Sequence, residues 1–182
     1  MLTVKTIPVT PYQQNARILI NESTNDAVII DPGGDIPQIL AELPANNSLK
    51  SIWITHSHID HVSGVVELLN HFKSNTIDVV AHSKDGFNRN NLAIQSQMMN
   101  FPYSGDFSVT QFCEDGDQLS VGSFSFQVLY TPGHAVGHIS LFSDMLENSF
   151  GAPILIAGDA LFKGSIGRTD LPGGNHQELL DS

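Results

Sequence analysis

A mixed α/β fold is the class this sequence predicts, on three observations. Short apolar runs at residues 27–30, 52–54 and 77–81 recur through the first half, alternating with stretches that carry apolar residues at helical spacing. The second half turns β-rich, with Gly-rich loops between apolar segments. The polar residues suited to chemistry gather in loops at strand ends, where a rigid scaffold presents a site.

Taken in order, residues 2–9 and 16–20 read as strands, followed by a polar turn at 21–26. Ala27, Val28, Ile29 and Ile30 form a buried strand that ends in the turn sequence Asp31-Pro32-Gly33-Gly34. Ile36, Ile39, Leu40 and Leu43 mark a helix, with Asp35 placed to cap it and Pro44 to stop it. Ile52, Trp53 and Ile54 form a second buried strand. Val62, Val65, Val66, Leu68, Leu69 and Phe72 predict a helix directly after the loop that follows it. Residues 77–81 are strand again, and the polar stretch 83–106 is helix-compatible around 91–99. Strands are expected at 119–121, 124–129, 138–142 and 153–157, and a last helix near Asn175. No internal repeat, low-complexity tract or long linker breaks the chain, so residues 1–182 are expected to form a single domain.

Composition narrows the function. Eight Lys plus Arg against nineteen Asp plus Glu give a net charge of −11. That balance opposes a nucleic-acid surface, which needs clustered cations, and a basic helix lying on a membrane. The only cysteine, Cys113, has no partner for an internal disulfide and stands beside Glu114 and Asp115, which discourage a thiolate. Residues 1–10 lack the pattern of an export signal, and no apolar stretch has membrane-spanning length, so a cytoplasmic location is expected. The chain carries eight His, as many as its Lys and Arg together.

Five of those eight fall in two short windows. The first is Thr55-His56-Ser57-His58-Ile59-Asp60-His61, between a strand and a helix. His56 and His58, two apart on an extended loop, project to one side, and Asp60 and His61 follow on the turn into the helix. Three imidazoles and a carboxylate so close together suit a borderline cation such as Zn²⁺, Fe²⁺ or Mn²⁺. The second window, Thr131-Pro132-Gly133-His134-Ala135-Val136-Gly137-His138, offers His134 as a further neutral ligand. His138 reads equally as a support for a ligand, a substrate-facing group or plain structure. A third segment ends its apolar strand in Gly158-Asp159, which delivers one more carboxylate past a strand end.

Together these windows resemble the metallo-β-lactamase superfamily: Thr-His-x-His-x-Asp-His at 55–61, Pro-Gly-His at 132–134 and Gly-Asp at 158–159. The wider sequence is similar to its glyoxalase II-like branch, the hydroxyacylglutathione hydrolases. Gln14-Asn15, Asp31-Pro32-Gly33-Gly34, Ala81-His82 and Gly164-Ser165-Ile166-Gly167-Arg168-Thr169-Asp170 fall in that branch's order. The resemblance implies an αββα four-layer sandwich with the metal site at one edge of two facing sheets. It implies that His56, His58 and His134 hold one metal, that Asp60 and His61 hold a second, and that Asp159 bridges them. Arg168 and Asp170 would brace the loop beneath. The family pattern places a further strand, ending in another His ligand, and a further helix after the last helix read here. The chain is therefore expected to be cut short at its C-terminal end, and the first metal site to bind more tightly than the second. His176 precedes the place of that ligand and is not assigned its role.

The chemistry implied is hydrolysis of a small-molecule thioester or related acyl substrate, glutathione-derived in the branch resembled. Water made acidic by one or two cations, Zn²⁺ first with Fe²⁺ or Mn²⁺ as alternatives, would attack as hydroxide, and Asp60 would orient it besides ligating. No Gly-x-Ser-x-Gly elbow competes as a nucleophile site. A β-lactamase would carry an export signal, an RNA-processing relative would need a basic channel, and diiron electron-transfer relatives carry Glu where His58 stands. The alternative from another class is a mononuclear iron persulfide dioxygenase that uses His56, His134 and Asp159. A non-enzymatic metal-bound domain is the remaining reading, and it requires a closed ligand set.

Overall fold

The computed structural model describes residues 1–73 and 77–182. Strands β1 (Leu2–Val9) and β2 (Gln14–Asn21) form a hairpin in register from Leu2 opposite Asn21 to Val9 opposite Gln14, and β3 (Asp26–Ile30) adds antiparallel to β2. The chain then crosses over through α1 (Ile36–Ala41) to β4 (Ser48–Trp53), parallel to β3. Helices α2 (Ile59–Val62) and α3 (Val65–His71) lead to β5 (Asp78–His82), parallel to β4. A 3₁₀ turn (Ser83–Asp85) and helices α4 (Gly86–Arg89) and α5 (Leu92–Met99) lead to β6 (Gln111–Cys113). The result is a six-stranded sheet in sequential order, β1 to β6. Strands β7 (Gln118–Val121), β8 (Phe124–Tyr130), β9 (Ile139–Ser143) and β10 (Ile154–Ile156) form a second, antiparallel sheet in the order β10-β9-β8-β7. A short hairpin, β11 (Leu161–Phe162) and β12 (Ser165–Ile166), and helix α6 (His176–Asp181) complete the chain.

Strand alternation divides the apolar residues between two cores. Ile18, Ile29, Ile52 and Val79 point to the helices and pack with Ile36, Ile39, Ile59, Val65 and Leu68. Leu19, Val28, Ile30, Trp53 and Val80 point the other way and meet Phe124, Phe126, Val128 and Leu141 of the small sheet. Trp53 meets Phe126 edge-on at 5.8 Å between ring centroids. The inner parts of β3, β4 and β5 are covered on both faces, which is why residues 27–30, 52–53 and 79–81 read as apolar runs. These layers are those of the expected sandwich. Helix α6 seats Leu179 against the loop between β8 and β9, where a Cβ at Gly133 would come within 2.2 Å of the Leu179 backbone nitrogen.

Several local expectations are corrected. The helix expected from Val62 starts earlier, at Ile59, and breaks at Gly64 into α2 and α3. The break lets the Gly64 N–H reach the Pro32 carbonyl at 3.0 Å, with no room for a side chain beside Ile36. Asp35 precedes α1 in a left-handed conformation (φ 50°) and makes no capping bond. Its carboxylate accepts from the Thr10 N–H at 2.7 Å instead. Helix α1 ends at Ala41, ahead of Pro44. Strand β6 and the β11–β12 hairpin are too short for periodicity to register.

One turn fixes the site directly. A Cβ on Gly33 would lie 1.6 Å from the backbone oxygen of Asp60. Gly33→Ala must therefore push apart the β3 turn and helix α2, at an expected cost of about 3 kcal/mol or more. Gly34→Ala next door meets only Thr10 Cγ2, at 3.2 Å, and is expected to cost under about 1 kcal/mol. Denaturant unfolding of both variants checks the contrast.

Candidate metal centre

Four loops meet at one edge of the two sheets: the ends of β3 and β4, the β8–β9 loop and the β10–β11 loop. They bring His56, His58, Asp60, His61, His134 and Asp159 into one cluster. His56 Nε2 lies 3.0 Å from His58 Nδ1 and 3.1 Å from His134 Nε2, and His58 Nδ1 lies 2.9 Å from His134 Nε2. His61 Nε2 lies 3.3 Å from Asp159 Oδ1 and 3.8 Å from Asp60 Oδ2, and His134 Nε2 lies 3.7 Å from Asp159 Oδ2. Two overlapping donor sets result, His56-His58-His134 and His56-His61-Asp159, each with its atoms within 4.8 Å of one another.

The protons can be traced. His134 Nδ1 is 2.7 Å from the Arg168 carbonyl, which only accepts, so Nδ1 carries the hydrogen and Nε2 presents a lone pair. Thr55 Oγ1 donates to Asp31 Oδ2 at 2.6 Å and so accepts from His56 Nδ1 at 3.2 Å, which leaves the His56 Nε2 lone pair inward. His61 Nδ1 donates to Asp31 Oδ2 at 3.0 Å. Its buried Nε2 has no hydrogen-bond partner.

Electrostatics agree with this arrangement. Burial, with neighbouring imidazoles adding to it, holds His58 down to about 3. Burial and His134 do the same to His138, at about 3, and burial pushes His56 well below its ordinary value. His134 is lowered by burial against the pull of Asp159. For His61, burial opposes the charged form, but Asp159 and Asp31 outweigh it and hold it well above the ordinary value. Asp159 is disfavoured as an anion by burial, yet its contact with His61 brings it down to about 2. Burial thus favours neutral imidazoles at His56 and His58, while the two carboxylates draw His61 towards its charged form.

Three imidazole nitrogens converging on one point form a donor set that a cation satisfies. A tetrahedral zinc with nitrogen bonds of about 2.0–2.1 Å separates its ligand atoms by about 3.3 Å, close to the edges of this imidazole triangle. The donor set fits a divalent metal.

The cluster is held from outside by residues that read in the sequence as turn or polar helix residues. Asp31 Oδ1 accepts from the Thr55 N–H at 2.8 Å. Asp85 accepts from the Ser57 N–H at 2.9 Å and from the Ser57 hydroxyl. Gln95 Oε1 accepts from the Ile59 N–H at 2.9 Å, and its Nε2 donates to the Ser57 carbonyl at 3.2 Å. Alternate backbone amides from Thr55 to Ile59 are thereby pinned, which leaves the intervening His56 and His58 side chains to face inward. His138 acts on Asp159: its Nε2 accepts from the Asp159 N–H at 3.0 Å while Nδ1 contacts Thr131 Oγ1 at 2.8 Å. Arg168 and Asp170 form a two-point ion pair, 2.7 and 2.8 Å, on the surface. Bracing of the site comes from the Arg168 carbonyl on His134 and not from that side-chain pair. Cys113 is buried, and burial pushes its thiol up to about 12.

A cavity of about 790 Å³ opens over the cluster. His58, Asp60, His61, His134 and Asp159 form its floor. One wall is the apolar side of α5, with Ile94, Met98 and Met99, and the facing wall is the β11–β12 hairpin, with Leu161 and Phe162. Among the described residues no helix is long and apolar enough to cross a membrane.

With this geometry in view, the comparisons with known proteins agree. The chain is 33% identical over 183 residues to the hydroxyacylglutathione hydrolase GloC of Haemophilus influenzae, with 100% of this chain and 82% of that protein covered. It superposes on the crystal structure of the BLEG-1 B3 metallo-beta-lactamase with a TM-score of 0.81 at 33% identity, covering 97% of this chain and 81% of the other. It superposes equally on TTHA1623 in a di-iron-bound form, TM-score 0.81 at 29% identity, covering 97% and 82%. The sequence model of the metallo-beta-lactamase superfamily matches residues 9–182, and the chain belongs to that superfamily.

Proposed function

We propose that this chain is a metal-dependent hydrolase of a thioester or related acyl bond. In this reading His56, His58 and His134 hold one divalent cation, Asp60 and His61 hold a second, and Asp159 lies between the two. The observation that carries it is the triangle of imidazole nitrogens with 2.9–3.1 Å edges, on the floor of a substrate-sized cavity. A divalent cation bound there supplies acidification of water and polarisation of the scissile carbonyl. The chain's own groups do the rest. Asp60 faces the cavity and orients the attacking water through a hydrogen bond. His138 and Asp31 keep Asp159 and His61 aimed inward. The apolar walls exclude bulk water and align the acyl and thiol halves of the substrate. Zn²⁺ suits this nitrogen and oxygen donor set, with Fe²⁺ or Mn²⁺ as alternatives.

The two sites are chemically unequal. The first offers three imidazoles, whereas the second offers one imidazole beside the carboxylates of Asp60 and Asp159. Titration of metal-free protein with Zn²⁺ against a chelator is expected to give two steps, the first tighter. Two equivalents bound with equal affinity would contradict the order. The name of the Haemophilus relative makes S-lactoylglutathione the first substrate to try, read by release of free thiol. Oxygen consumption with glutathione persulfide in place of thiol release would favour the dioxygenase that uses His56, His134 and Asp159. Turnover of a β-lactam alone would overturn the thioester assignment and leave the metal centre standing. A metal-loaded protein inert to thioesters, esters, lactones and persulfides would overturn the enzyme reading.

A further inference from the structure

Away from the metal donors the cavity holds two cations, Arg17 and Lys163, that take part in none of the ion pairs among the described residues. Arg17 comes from β2 and is half-buried beside Ile30. One nitrogen of its guanidinium, Nη1, donates to the Asn15 carbonyl at 2.7 Å. Among the described residues that is the one side-chain hydrogen bond of Arg17, which lines the cavity. Asp31 is the charge that acts on it, but both Asp31 oxygens are engaged by Thr55 and His61. Lys163 stands at the tip of the β11–β12 hairpin, on the facing wall.

A half-buried guanidinium without an anion is an incomplete arrangement, because its fork is shaped to take a carboxylate in two parallel hydrogen bonds. The chain has only eight Lys and Arg against nineteen acids, yet spends two unpaired cations on this cavity. The carboxylates that line the same cavity, Asp31, Asp60 and Asp159, belong to the candidate metal centre and its support. We infer that Arg17 is a specificity-determining residue that binds a carboxylate on the non-reacting part of the substrate, with Lys163 as a second contact. The substrate class is then an anionic thioester whose apolar portion lies along Ile94 and Met98. A monoanionic carboxylate fits better than a phosphate dianion, because three carboxylates, Asp31, Asp60 and Asp159, already line the same cavity. The inference rests on the hydrolase reading for the thioester end alone.

Binding of a thioether, which cannot be hydrolysed, tests the site apart from turnover. S-hexylglutathione and its diethyl ester are titrated calorimetrically into the metal-loaded full chain, as wild type, Arg17→Met and Arg17→Lys. Wild type is expected to prefer the acid over the diester by about 10- to 100-fold, the range of a charge-assisted hydrogen bond. Arg17→Met should bind the two alike, and Arg17→Lys should keep part of the preference. Wild type binding the diester as tightly as the acid, or binding neither, overturns the inference without recourse to any variant. An Arg17→Met protein that keeps the full preference overturns it as well. Release of thiol from S-lactoylglutathione is read separately. Acid-selective binding without thiol release from S-lactoylglutathione or any other thioester upholds the anion site and sinks the thioester-hydrolase reading.

Discussion

His58→Ala is expected to abolish turnover and strip metal from the first site while the fold survives. His58 is the residue just before helix α2, in extended backbone (φ −72°, ψ 147°) that alanine adopts freely, and its side chain makes no capping bond. The hydrogen-bond-range contacts of its ring are to His56 and His134. Removing it takes one donor from the cation and, in the metal-free protein, only those contacts between rings. Metal-free His58→Ala should therefore unfold within about 1–2 kcal/mol of metal-free wild type. Metal at a thousandfold excess over its Kd stabilises a protein by about 4 kcal/mol, which for this chain length raises Tm by about 10 °C. The variant should lose most of that increment, and kcat/KM should fall by about 10³-fold or more, beyond the roughly 10- to 100-fold that losing a ligand's supporting partner costs. Retained metal content with retained turnover would remove His58 from the ligand set.

Why the candidate ligands were legible, and their supports were not, follows from where each kind of information sits. His56, His58, Asp60 and His61 are within six positions of one another, and a strand end followed by a helix start dictates that they share a loop. His134 and Asp159 each follow an apolar run closed by glycine, so strand ends could be placed for them as well. Asp31, Asp85 and Gln95 act on the same loop from 24 to 38 positions away in sequence. Nothing local to Asp85 or Gln95 marks them: each reads as an ordinary residue in a polar helical stretch, and only the packing of α5 and the 3₁₀ turn against β4 shows what their polar atoms meet. Arg17 is hidden for a related reason. A single cation in a strand is unremarkable until the cavity beside it is known.

The fold divides the same way. Strands buried on both faces announced themselves as apolar runs, because neither face can tolerate charge. The Gly64 break was missed because periodicity continues across it: Val62 and Val65 both face the large core, so the apolar pattern carries no trace of the interruption. Asp35 had the right type and position for a cap, but Thr10, from a distant turn, competed for its carboxylate and won. Tertiary contacts overrode local preference at both places.

Asp31→Asn is expected to empty the second site and spare the first, by moving one hydrogen. Asp31 sits at φ 51°, a left-handed conformation that Asn accepts as readily as Asp. Its Oδ1 takes the Thr55 N–H and must remain an oxygen, so the amide NH₂ of the variant falls where Oδ2 was, facing His61 Nδ1. That NH₂ can only donate. His61 Nδ1 must then accept, and the ring hydrogen is fixed on Nε2, pointing at Asp159 where the second cation belongs. Neither His58 nor His134 touches Asp31, and the Thr55 hydroxyl, which loses Oδ2 as its acceptor, turns its hydrogen away and accepts from both the new amide and His56. The variant should bind one tight equivalent of Zn²⁺ where wild type binds two, with unfolding free energy within about 1–2 kcal/mol of wild type. Asp31→Ala is the contrasting case. It leaves the Thr55 N–H, the Thr55 hydroxyl and His61 Nδ1 without their acceptor, in a backbone conformation alanine resists, and should cost about 3–5 kcal/mol. Competition titrations give the stoichiometry, and ¹⁵N spectra of the imidazoles report which His61 nitrogen carries hydrogen. Two tight equivalents in Asp31→Asn, with the hydrogen still on Nδ1, would show that the tautomer of His61 is set by something other than Asp31.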